Sequence, residues 1–234
     1  GMIVSVTCDK DGMKAVKEAV ASFKEKLPKK ESEGQKAAIS CISRNEGFMN
    51  ASKVQYVSRA GNFKKAGFAY TGALRILKVV LSYDYLWINV RVKGGAYGCG
   101  SGFMRNGNAY FSSYRDPNLE KTNEVYNHIP DYIRNFTADE RDMTKYIIGT
   151  VSELDTPLNP YAKGMRSVSA YFCGITDADI QKERDEVITA SEKDIQKLAD
   201  LVEAVLSQKH LCVIGNEEKI TEQKSMFEEI RQLF

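Results

Sequence analysis

Histidine is scarce: His128 and His210 are the only two in 234 residues. A catalytic zinc centre usually takes three protein ligands, commonly with two on one helical face. Neither H-E-x-x-H nor H-x-x-E-H occurs, so a self-contained zinc peptidase is excluded by motif. Glu124, His128 and Asp131 fall at helical spacing, a pattern that reads as an exposed polar face. Long apolar runs are also missing. The longest, such as Leu211 to Ile214, fall far short of the roughly 20 residues of a bilayer span. Charge of one sign is lacking: 33 Lys plus Arg against 31 Asp plus Glu leave a net +2, no global field for nucleic acid or an acidic membrane. G-x-S-x-G, the phosphate loop and a strand-linked G-x-G-x-x-G are absent, which removes the motif basis for a serine hydrolase or a nucleotide site. The segment Lys93 to Gly98 faintly echoes an RNA-recognition strand but has Gly95 where an aromatic is expected. The five cysteines, Cys8, Cys41, Cys99, Cys173 and Cys212, are odd in number and form no C-x-x-C. They point to free thiols in the cytoplasm or an equivalent reducing compartment such as an organelle matrix.

What is present is an ordinary globular composition, 43% hydrophobic and 27% charged, enough for a core. Gly1 ahead of Met2 reads as a tag scar, so a fragment of a longer protein is expected. Alternation at Ile3–Thr7 and Lys53–Arg59 and the apolar run Ala37–Ser43 predict strands, with a polar loop from Lys29 to Lys36. Helical periodicity spans Lys10 to Leu27, and Phe68 onward through Leu81, with a second short helix over Tyr85 to Val90 as its extension. Asn106-Gly107 predicts a hairpin between Ser101–Arg105 and Ala109–Tyr114. Asp116-Pro117 has the form of a helix start leading through Val125, Ile129, Ile133 and Phe136, with a kink at Pro130. Thr137 with Glu140, Thr176 with Asp179 and Ser191 with Asp194 resemble capping boxes. A strand at Leu211–Ile214 and a closing amphipathic helix from Glu217 to Leu233 complete the chain. The class is α+β, a two-layer sandwich of a mostly antiparallel sheet with helices on one face.

The segment Val90-Arg91-Val92-Lys93-Gly94-Gly95-Ala96-Tyr97-Gly98 stands apart. Its glycines permit close backbone approach, and they lie beside two strong donors, a guanidinium and a phenol. Such donors suit a carbonyl oxygen or a developing oxyanion; a flexible turn is the plainer alternative.

That string, followed by Ser113-Tyr114-Arg115-Asp116-Pro117-Asn118-Leu119, resembles the last domain of presequence-protease-like enzymes in the pitrilysin or insulinase family of zinc peptidases. Val54-Gln55-Tyr56-Val57, Tyr83 to Trp87, Ile147-Ile148-Gly149-Thr150 and Ala162-Lys163-Gly164 add to the likeness. The resemblance implies homologous α+β domains of the LuxS/MPP-like metallohydrolase fold, set in two bowl-shaped halves that close around an unfolded peptide. By motif position it assigns Arg91 and Tyr97 to contact with substrate near the metal, with Gly94, Gly95 and Gly98 as further substrate-binding candidates. It also implies that residues 1–234 form a single noncatalytic C-terminal domain that binds no metal, inactive in isolation. Zinc would then sit in an upstream domain, and the partners would be the N-terminal half of the same polypeptide and an unfolded peptide. A separate noncatalytic peptide-binding or assembly subunit, paired with a zinc-bearing chain, is the alternative. A structural domain whose glycine loop only packs against a neighbour is the third reading. Ser113-Tyr114-Arg115-Asp116-Pro117 is read as architecture.

Overall fold

The structure, a computed structural model, describes residues 3–28 and 44–233. The loop expected from Lys29 to Lys36, the strand expected at Ala37–Ser43, the Gly1–Met2 junction and Cys41 lie outside the described residues. Boundaries after residues 41, 154 and 181 divide the chain into two compact units.

The smaller unit carries α1 (Gly12–Glu25) and, further along the chain, a helix at Pro160–Cys173. Ile3–Thr7, expected as a strand, is exposed irregular backbone. The Pro160–Cys173 helix starts on Asn159, whose Oδ1 accepts the Ala162 N–H at 2.8 Å, and it ends on Gly174 at φ +63, the usual left-handed stop.

The larger unit holds a six-stranded sheet. Its strands are β1 (Glu46–Asn50), β2 (Gln55–Asn62), β3 (Gly98–Phe103), β4 (Asn108–Asp116), β5 (His210–Asn216) and β6 (Glu229–Gln232), in the order β3-β4-β2-β5-β1-β6. The β3–β4, β4–β2 and β2–β5 pairings are antiparallel, and β5–β1 and β1–β6 are parallel. The predicted hairpin is present: Gly107 sits at φ +96, and the Met104 N–H meets the Asn108 carbonyl at 2.8 Å.

The helices, numbered onward from α1, are α2 (Ala73–Val80), α3 (Glu120–Asn127), α4 (Ile129–Arg134), α5 (Glu140–Leu154), α6 (the Pro160–Cys173 helix of the smaller unit), α7 (Asp177–Ile188), α8 (Glu192–Gln196), α9 (Ala199–Leu206) and α10 (Glu217–Glu222). Alternation along the strands decides the layering. Val57, Phe111 and Val213 point inward at 0% exposure and share one core with Leu74, Leu77, Tyr126 and Val202 of the helices. Tyr56, Tyr110, Tyr114 and Ile214 point to the other, open face. This is the expected two-layer arrangement.

Several local expectations change. The Asp116-Pro117 pair does not open a helix; Asp116 ends β4, and α3 begins at Glu120. Pro130 does not kink a continuous helix. It sits in the first turn of α4, after a break at His128, where its missing N–H costs nothing. At α5 the cap is Asp139, whose Oδ1 takes the Asp142 N–H at 2.8 Å, so Thr137 is displaced by a carboxylate closer to the helix start. Thr176/Asp179 and Ser191/Asp194 do form reciprocal boxes. The closing helix stops at Glu222, and Glu229–Gln232 instead pairs with β1, because that edge offers unpaired backbone groups.

Two buried charges fasten the layers. Glu183 of α7 is 4% exposed. It accepts from Tyr70 Oη at 3.0 Å and from both Arg75 and Arg105, clamping the start of α2 and the end of the β3–β4 hairpin. Arg59 of β2 is 7% exposed. It donates to Asn123 Oδ1 (2.8 Å), Asn127 Oδ1 (3.2 Å) and the Leu206 carbonyl at the end of α9, where the helix dipole favours a cation.

Arg59→Leu strands those three acceptors, so the unfolding free energy should fall by about 3 kcal/mol; an unchanged denaturation midpoint would contradict this role. The Ser191 hydroxyl, Lys197 and the Ser191 N–H hold the Asp194 carboxyl down at about 2. With the folded-state value depressed, its stabilisation is complete above the unfolded value of 3.8 and is lost as pH falls through about 2. The stability gap between wild type and Asp194→Asn should therefore be constant above about pH 5 and shrink between pH 4 and pH 2. Chemical denaturation across that range checks it, and a pH-independent gap would contradict it.

Candidate functional site

The helix that begins with α2 continues past Val80 in π geometry over Leu81–Tyr85 and Trp87–Val92. The Leu86 N–H reaches the Leu81 carbonyl, and the Lys93 N–H reaches that of Ile88 at 2.9 Å, each five residues back. Such turns are common at functional sites because they re-aim the helix faces. Here Leu86 and Val90 enter the core, while Trp87 and Arg91, four residues apart, share the outer face. The Arg91 guanidinium carbon lies 3.8 Å from the Trp87 ring centroid, a cation–π stack that fixes its direction.

Glycines then turn the chain sharply. A Cβ on Gly94 would lie 2.4 Å from the Val90 carbonyl oxygen, so no side chain fits there. Gly95 is at φ +80; its N–H returns to the Arg91 carbonyl (2.9 Å), and that of Ala96 to Val90 (3.2 Å). Tyr97 emerges 67% exposed. Its ring packs edge-on against Tyr114 at 5.8 Å, and Tyr114 against Tyr56 at 5.3 Å. Arg91 and Tyr97 thus line one open groove of about 710 Å³ with Trp87, Gly95, Val54 and Arg115. Of the other two predicted glycines, Gly94 supports the turn from beneath, and Gly98 opens β3 opposite Tyr114.

The second motif holds this turn in place. Between Gln55↔Asp116 and Val57↔Ser113, β4 carries one more residue than β2, a bulge. Arg115 lies in it at φ +50, and Asp116 turns fully inward at 0% exposure. The Asp116 carboxylate accepts from Thr122 Oγ1 (2.7 Å) and from the Asn118 N–H (2.8 Å). Asn118 Nδ2 in turn donates to the Gly94 carbonyl at 2.6 Å. The Tyr97 N–H meets the Arg115 carbonyl at 3.4 Å. The motif is architectural through the buried Asp116 rather than through the expected helix start, and it also delivers Arg115 to the groove. Trp87 and Asn118 carry no signal of their own as site residues in the sequence, and Arg115 reads there as architecture; all three lie in the strings that carry the resemblance.

Among the described residues, no carboxylate pairs with Arg91 or Arg115. Burial pushes the Cys99 thiol up, against the lowering effect of Arg91 and with that of Asp116, so it is no ready thiolate. No group of three His, Cys, Asp or Glu that could hold a metal ion occurs among the described residues; His128 is exposed beside Asp131 at 3.7 Å. The donor set does not fit zinc. It fits a carbonyl oxygen or an anion, approached by a fixed guanidinium and a phenol.

A sequence model of the PreP C-terminal domain matches residues 45–217. Protein HypA of Clostridium perfringens is 42% identical over 232 residues, covering 99% of this chain and 24% of that protein. Presequence protease 1, chloroplastic/mitochondrial, of Arabidopsis thaliana is 33% identical over 237 residues, 99% of this chain and 22% of that protein. The chain therefore spans about a quarter of the length of these relatives. Among solved structures, the inactive domain of an M16 peptidase from Pseudomonas fluorescens superposes with TM-score 0.60 at 14% identity, covering 88% of this chain and 50% of that one. Pitrilysin does so with TM-score 0.54 at 10% identity, over 88% and 23%. These structural likenesses bear on the fold, which they share.

Asn118→Ala removes the bond to the Gly94 carbonyl and should loosen the turn by about 1 kcal/mol. Amide exchange at Gly95, Ala96 and Tyr97 should accelerate severalfold while that of the β2–β5 core stays slow. Unchanged protection at those three amides would show that Asn118 does not hold the turn.

Proposed function

Because this chain belongs to the PreP C-terminal domain family of M16 peptidase-like proteins, we propose that it is the noncatalytic C-terminal domain of a zinc-dependent oligopeptidase acting on unfolded peptides. It walls part of the substrate chamber and presents Arg91 and Tyr97 to the carbonyl of the bound peptide. The observation that carries this reading is their convergence: a stacked guanidinium and an exposed phenol enter one groove from the two ends of a glycine turn. Zinc belongs to another domain in this reading, since the described residues of this chain offer no ligand set.

The work of this chain is electrostatic. As a peptide carbonyl is attacked, its oxygen gains negative charge, and donors already aimed at it lower the barrier without reorganising. Arg91 is held by Trp87, and Tyr97 by its ring contact with Tyr114 and the backbone bond to Arg115, so both donors are preorganised. The partner is the N-terminal half of the same polypeptide or a separate zinc-bearing chain. The family names on both sides of the comparison, presequence protease and inactive M16 domain, support a noncatalytic module of a peptidase. The near-zero net charge accords with a peptide partner rather than nucleic acid. Cytoplasm or an organelle matrix is the proposed compartment, in keeping with a chloroplastic/mitochondrial relative.

In the complete peptidase, Tyr97→Phe should lower kcat on the order of 10²-fold, about 2.7 kcal/mol, with KM little changed. Arg91→Ala should lower kcat/KM at least as much. Steady-state kinetics on an unstructured peptide test both, and activity within threefold of wild type for Tyr97→Phe would sink the assignment. The isolated chain should neither cleave peptides nor retain stoichiometric zinc after dialysis; either finding would contradict its noncatalytic role.

A further inference from the structure

Arg115 is the strained residue of the groove. Its φ of +50 lies in the left-handed region, which side-chain-bearing residues enter at a cost that glycine avoids. Lys209, at φ +55, shares the conformation but sits in the turn that ends α9, where a left-handed stop is ordinary. Arg115 has no helix end to explain it. Strain of this kind persists where the surrounding structure imposes it, often at a ligand site.

The bulge has a definite consequence for side-chain direction. In unbroken alternation the residue after the outward-facing Tyr114 would point into the core. The extra residue in β4 instead leaves Arg115 exposed on the groove and turns Asp116 inward. Two guanidiniums therefore share one concavity. The nearest carboxylate in sequence, Asp116, is buried and already accepts from Thr122 and Asn118. Arg91 is committed to the Trp87 face; Arg115 has no hydrogen-bond or ion-pair partner for its guanidinium among the described residues. A neutral peptide carbonyl is already served by Arg91 and Tyr97. A second full positive charge beside it exceeds what that oxygen needs and matches an anion.

We propose that Arg115 is a specificity residue of the peptide site, binding a carboxylate of the substrate. The proposal rests on the reading of Arg91 and Tyr97 given above. That carboxylate is either the peptide's C-terminus or an Asp or Glu side chain, and the two sources separate by experiment.

The test measures kcat/KM of the complete peptidase on matched peptides: free acid against C-terminal amide, and Glu against Gln placed at each position in turn. Wild type should favour one carboxylate-bearing member by about tenfold or more. In Arg115→Gly that ratio should fall to about one, with a melting temperature no lower than wild type because glycine takes the left-handed conformation freely. Arg115→Asn, which also tolerates positive φ, repeats the measurement should the glycine loosen the turn. An effect on the acid/amide pair identifies the C-terminus, and one on a Glu/Gln pair identifies a side chain. Ratios that agree within twofold among wild type and both variants, on every pair, overturn the proposal. Failure of the underlying reading is distinct: Arg91→Ala and Tyr97→Phe would then turn over all the peptides at wild-type rates.

Discussion

The buried carboxylate of Asp116 is the constraint on which the site depends. Its two oxygens gather the first turn of α3, through Thr122, and the backbone of Asn118, whose side chain then fixes the Gly94 carbonyl. One inward-turned residue at the end of β4 thereby ties a strand, a helix start and the glycine turn together. A carboxylate removed from water is tolerable only when its lone pairs are answered, and here the answering groups are the parts of the site that must not move.

Around that point the burdens are divided. The sheet and its helical layer supply stability through an apolar core that the groove meets only at Ala96, and the buried Glu183 and Arg59 clusters register the helices on the strands. The groove lies where β3, an outermost strand, meets the end of the π-geometry helix. There the two guanidiniums and the phenol are left without acidic partners among the described residues. Placing unpaired cations on a rigid frame costs stability locally and offers preorganised donors in return. In the proposed reading, a chain whose described residues offer no metal-ligand set contributes by shaping and polarising the site.

Much of this was legible in the sequence. The Asn106-Gly107 turn, the β2 alternation, the late strand and two capping boxes declared themselves because each is a local rule with a local cause. Arg91 and Tyr97 are candidates by residue chemistry joined to family resemblance; the structure places both on one groove, and their role there is the proposal made above. The misses share a physical origin in tertiary context. Glu229–Gln232 has no strong pattern of its own and became a strand by pairing with β1. Asp116-Pro117 had the form of a helix start, yet a bulge set by pairing with β2 made the aspartate a latch instead. Arg115 reads as architecture in the sequence because Asp116-Pro117 has the form of a helix start, and nothing in a sequence reveals the positive φ that sets Arg115 apart. The π turns, which place Trp87 beneath Arg91, are equally invisible to a periodicity of 3.6.

The most direct test of the central claim is a structure of the complete peptidase holding an uncleaved peptide. In it, the Arg91 guanidinium and Tyr97 Oη should lie within about 2.7–3.2 Å of a single peptide carbonyl oxygen, with the Gly94–Gly95 turn unchanged. A bound peptide whose carbonyls leave both side chains in solvent would contradict it.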